Sequence, residues 1–147
     1  MAKAGASLNW GGFDKVMGKA KSKLSESKAA LMASIGEALV SGTLQRFDAE
    51  ESPSGEKWEA SQRATAEGGK TLTDTARLRK SIDYAATSSK VMVGSNVVYA
   101  RIHQMGGKAG KGHNASITAR PYLGVSNADM EEVKAVLADF LDGTFKA

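Results

Sequence analysis

Two histidines, His103 and His113, bracket a glycine-rich stretch and are the side chains of this chain best suited to chemistry. An imidazole can ligate a metal or move a proton near neutral pH. Zinc sites, however, usually draw three or four ligands from the protein. No Asp, Glu or Cys lies between Tyr84 and Ala128 to complete such a set, so no metal site is expected. Neither histidine sits in a nucleophile motif, and GxSxG is absent. The run from Gly106 to Gly112 has the composition of a phosphate loop. It lacks the spacing of one, a Ser or Thr after the lysine, and a helix to follow. Asp48, Glu50 and Glu51 fall close together but on a polar, acidic segment, where solvation is the expected state. A hydrolase has no constellation here, and neither an enzyme nor a cofactor is expected.

The basic side chains are distributed more tellingly. Six lysines against Asp14 and Glu26 occupy residues 1–28. The acid-free stretch from Tyr84 to Ala128 carries Lys90, Arg101, Lys108, Lys111 and Arg120. Residues 46–59 and 129–147 each hold five acids against two bases, and the net charge is +4. Segregation of this kind fits a basic face toward nucleic acid, complementary poles for self-stacking, or a solvated surface with uneven charge. A free nucleic-acid-binding module is the weaker reading. Its aromatics are not interleaved with the basic residues, and no helix-turn-helix or zinc-finger spacing occurs.

Phe13, Val16, Met17, Ala20 and Leu24 share a helical face, and the stripe runs on in phase through Leu31, Ile35, Leu39 and Gly42. Ser25, Glu26 and Ser27 offer a break, so a short helix near 13–24 and a long one near 27–49 are expected, with a single bent helix as the rival. Residues 51–69 read as a loop, opened by the turn residues 52–55 and closed by Gly68 and Gly69. Trp58 either pins that loop to the domain or marks a contact surface; aromatic burial is the usual way a long loop is held. Thr73 or Asp74 is expected to cap a short helix through Lys80.

Ile82 and Tyr84, then Val91 and Val93, alternate with polar neighbours and predict a hairpin turning at 86–90, packed on the helix that carries Ile35 and Leu39. Residues 97–105 read as a strand or a helical turn. Residues 106–114, with four glycines and two lysines, read as a mobile loop. Order resumes at 117–125, where Pro121 suits an edge position. Met130, Val133, Leu137, Phe140 and Leu141 form a last helical stripe, capped by Ser126 or Asn127 and ended by Gly143. The whole is expected to be one α+β domain over residues 1–147. A small antiparallel sheet would pack against a long helix in the N-terminal half and a C-terminal helix, with a helical section at about 1–26.

A chain of 147 residues can bury about 68–70% of its unfolded surface and needs no staple. The absence of cysteine fits assembly in a reducing cytoplasm. No apolar run reaches the length of a membrane span and no secretory signal opens the chain, so a soluble, unprocessed protein without membrane contact is expected.

Six stretches in order resemble the phage virion morphogenesis family, which includes tail-completion proteins of Mu-like phages. They are Ile35 to Leu39 (IGEAL); Arg46 to Glu50 (RFDAE) leading to Ser52 to Trp58 (SPSGEKW); and Leu72 to Arg79 (LTDTARLR) with Ser81 and Ile82. Next come Val91 to Asn96 (VMVGSN) with Tyr99 and Ala100, then Ile102 to Gly107 (IHQMGG), and Ala119 to Gly124 (ARPYLG) before the terminal helix. Each is short, but together they span about residues 35–141. The resemblance implies an α+β subunit that joins copies of itself in a ring at the head-proximal end of the tail, beside other tail and neck proteins. It implies no cofactor and no catalysis. Head morphogenesis is the alternative it leaves open. In that light Arg101, Lys108, Lys111 and Arg120 are candidates to face passing genomic DNA or a neighbouring subunit. Trp58, Glu50 and Glu51 are candidate subunit contacts.

Overall fold

The computed structural model describes residues 21–146, and the side chains of 27–143 within them. Its backbone is one long helix, α1 (Lys21–Ala49), against which the first hairpin and the C-terminal helix pack. The buried positions of α1 are Lys28, Leu31, Met32, Ile35, Gly36, Leu39, Thr43, Arg46 and Phe47, a stripe at three- and four-residue spacing. The helix is continuous through Ser25–Ser27, which corrects the expected break there. Serine disfavours a helix interior by only about 0.5 kcal/mol relative to alanine, and with no Pro or Gly nearby that is too little to stop propagation. The part of the expected first helix before residue 21 lies outside the described residues.

Residues 50–76 cross the carboxyl end of α1. Within them is a short helix, α2 (Gln62–Glu67), where an irregular loop was expected. Ser61 caps it by accepting from the Ala64 amide at 3.1 Å, and Gly68 ends it in the left-handed conformation. The next helix, α3 (Arg77–Lys80), starts two residues later than Asp74 would place it, behind Ala76 at φ 63°. Neither Thr73 nor Asp74 caps it.

The expected hairpin is present: β1 (Asp83–Ala86) pairs antiparallel with β2 (Val91–Gly94), with Tyr84 opposite Val93. It packs on α1. A Cβ at Gly36 would overlap the Tyr84 ring, so glycine on α1 lets the strand approach closely. Residues 97–105 resolve as a helix, α4 (Ala100–Met105). The glycine-rich segment that follows is a second hairpin rather than an irregular loop: β3 (Gly107–Ala109), a 3-10 turn at Lys111–His113, and β4 (Ala115–Ile117). Residues 118–126 run extended without a strand partner. The last helix, α5 (Asn127–Lys146), packs on α1 and continues past Gly143, which was expected to end it.

The core divides along α1. Leu31, Met32, Ile35 and Leu39 meet Val91 and Val133, from β2 and α5. Farther along, Phe47 meets Trp58, Leu78, Ile82, Ala100, Tyr122 and Leu123. The chain is thus α+β, with its sheet as two separate two-stranded hairpins among the described residues.

A candidate assembly surface and how it is mounted

Four side chains fix α4 and the 118–126 segment to the core. Arg46, inside the apolar stripe of α1, donates from Nε to the Tyr122 carbonyl at 2.8 Å and from Nη2 to the Gly124 carbonyl at 3.0 Å. Its Nη1 meets Asp129 Oδ2 at 2.6 Å, with both side chains about 5% exposed. Asp129 and Ser126 in turn cap α5 reciprocally: each backbone N–H donates to the other's side chain at 3.0 Å. A Cβ at Gly42 would collide with the Asp129 carboxylate, so the helix yields room for its counter-ion. Gln104 accepts the Tyr122 and Leu123 amides and returns a bond to the Leu123 carbonyl. The Tyr122 hydroxyl donates to the Ala100 carbonyl at 2.7 Å, and burial pushes its pKa up to about 12. The Trp58 indole stacks edge-on with Phe47 and donates to the Pro121 carbonyl, pinning the 50–61 segment.

On this frame sits an exposed face without a catalytic set. Val98 is 96% exposed, Met105 59%, and Tyr99 37%. Arg101 is exposed on α4, and Lys108 and Lys111 are exposed on the β3–β4 hairpin, of which only Ala109 and Ile117 are half-buried. Gly106 joins helix to hairpin at φ 74°, so close to Ala119 that a side chain would not fit.

Beside that face a cleft of about 370 Å³ opens between α3, α4 and Arg120. Leu72, Leu78 and Tyr99 line it, with Arg63, Arg77 and Arg120 around them and Asp74 as the acidic member. The Arg77 guanidinium lies 5.7 Å from the Tyr99 ring centroid. Arg120 is 8% exposed and donates from Nε to the Glu59 carbonyl at 2.7 Å. His103 packs edge-on against Tyr99, and its Nδ1 is buried without a hydrogen-bond partner. Burial, and then the Arg120 charge, lower the His103 pKa below its ordinary 6.5. Leu72 and Ala76 both hold left-handed backbone, a strained state that clusters at ligand clamps and switch regions. Among the described residues no group of three His, Cys, Asp or Glu could hold a metal, and no helix is long and apolar enough to cross a membrane.

Comparison with known proteins decides the family. Residues 8–142 match the model of the phage virion morphogenesis family. The chain belongs to that family. It is also 34% identical over 113 residues to Mu-like prophage FluMu G protein 2 of Haemophilus influenzae, covering 77% of this chain and 78% of the relative. No solved structure matches it. Family membership associates the protein with the phage particle and with virion morphogenesis.

In this family member the sequence-derived candidates separate into two groups. Arg101, Lys108 and Lys111 are exposed and on adjoining elements. Arg120 and Trp58 lie inside the fold instead, at 8% exposure each, and make the internal hydrogen bonds given above. Glu50, at φ 55°, turns its carboxylate to the Thr71 amide at 2.6 Å, while Glu51 pairs with Lys57 at the surface at 3.2 Å. His103 and His113 do not form a joint site: one is half-buried on α4, the other exposed in the turn of the hairpin. Sequence reasoning missed Arg46, Asp129, Gln104 and the arginine cleft. The signal for Arg46 was its position in phase with Leu39 and Phe47, where a charge has to be paired.

Proposed function

We propose that this chain is a non-enzymatic structural protein that acts at the head-proximal end of the phage tail. It completes the tail and joins it to the head as one subunit of a closed ring. The family match over residues 8–142 carries this reading. A subunit that caps a cylinder adopts the cylinder's rotational symmetry, and head-to-tail contacts close only at a fixed angle. The exposed apolar side chains of the 98–105 region supply surface for a neighbour, and Arg101, Lys108 and Lys111 supply charge that meets either DNA phosphates or an acidic subunit. Assembly takes place in the host cytoplasm.

Deleting the gene tests this. Filled heads and finished but unjoined tails should accumulate. Unfilled or misshapen heads with no free tails would place the protein in head morphogenesis instead.

A further inference from the structure

The arginine cleft has no assigned occupant, and its chemistry narrows the choice. Its lining pairs an apolar side (Leu72, Leu78, Tyr99) with three guanidiniums against one carboxylate, Asp74. Arg63 is partly neutralised, with Glu67 at 3.6 Å and Asp74 at 3.8 Å, and Arg120 is bound to the Glu59 carbonyl. Arg77, exposed over Tyr99, is the cation best placed to take a new anion. The occupant must therefore bring an apolar side chain and a carboxylate together.

The chain itself presents one such group. Its exposed large apolar side chains, among the described residues, are Met92, Val98, Tyr99, Met105 and Met130. The first four lie in the acid-free stretch 84–128. Met130, 40% exposed in the first turn of α5, is followed by exposed Glu131 and Glu132. In the other acidic segment, 48–59, the large apolar side chain is Trp58, and it is buried. Glu131 is held locally by an exposed pair with Lys134 at 3.4 Å, a contact weak enough to exchange. Methionine adapts to irregular apolar clefts, and arginine binds a carboxylate through two parallel hydrogen bonds.

We propose that the cleft is the receptor for the first turn of α5 from a second copy of this chain. Met130 enters beside Leu72 and Tyr99, and Glu131 or Glu132 meets Arg77. Cleft and turn are different patches, so the contact is heterologous and propagates from subunit to subunit. The proposal rests on the ring reading and names the surfaces that would build it.

The absence of native cysteine gives a direct test. Particles are assembled with full-length chains carrying Thr75→Cys, Glu132→Cys, or both, and oxidised. The double variant should give a covalent ladder beyond dimers, and each single variant should not. A second arm uses charge. Arg77→Glu, with an unchanged melting temperature, should abolish the ladder when placed in the double-cysteine background. Adding Glu131→Arg should restore it. A double variant that yields no more than the singles overturns the proposal. So does an Arg77→Glu chain that keeps its ladder but loses a DNA mobility shift, which would assign the cleft to phosphate. Imaging the same particles separates the two readings. Several copies at one axial level without a ladder leave the ring standing and remove this contact, whereas one copy per particle removes both.

Discussion

Arg46 ties α1, the 120–125 segment and the start of α5 together through one guanidinium, and Asp129 is both its counter-ion and the cap of α5. Removing one partner of a buried ion pair leaves an uncompensated charge. Asp129→Ala should therefore destabilise the fold by about 3–5 kcal/mol in denaturant unfolding. A cost below 1 kcal/mol would show water reaching the site. His103 provides a pH-dependent counterpart. Its pKa in the folded chain is lowered below 6.5, so the unfolded chain binds the proton more readily. The stability this neutral histidine contributes is complete above pH 6.5 and declines as pH falls below it. Thermal melts should show that decline at mildly acidic pH and a shallower one in His103→Gln; identical profiles would remove the assignment. Neither Asp129 nor His103 was readable as a structural centre from sequence. Arg46 looks like a surface charge until Gly42, one turn earlier, is seen to make space for a carboxylate some eighty residues away.

Periodicity made the long elements legible. The α1 stripe, the hairpin at 83–94 and the α5 stripe all follow from side-chain spacing, although Met130 of the α5 stripe stays 40% exposed and Tyr84 of β1 is only half-buried. Elements held chiefly by backbone were not legible. α2 depends on the Ser61 cap and Gly68, and the β3–β4 hairpin on backbone pairing over strands of three residues, too short to leave a pattern. Pairing in the hairpin does not make it stable. Nearly all its residues are exposed, and ordering each costs about 1–2 kcal/mol, with glycine losing most. Hydrogen exchange should find residues 106–114 weakly protected in the free subunit and strongly protected after assembly. Equal, strong protection in both states would make the hairpin an intrinsic, rigid part of the fold.

At the scale of the whole molecule, charge and apolar exposure are segregated. The acid-free stretch presents Arg101, Lys108 and Lys111 outward, while α5 presents Glu131 and Glu132. If the hairpin lysines line a DNA channel, Lys108→Ala with Lys111→Ala should impair DNA retention or ejection without lowering the melting temperature. Any direct binding should weaken steeply with salt. Normal ejection from the double variant would assign the lysines to subunit contacts. The central functional proposal is a ring of copies at the head-proximal end of the tail. Imaging of intact particles at a resolution that traces α1 tests it most directly. Several copies of this chain, related by the tail's rotational symmetry, should lie at one axial level where tail meets head. A single off-axis copy, or copies spread along the tail shaft or over the head shell, would contradict it.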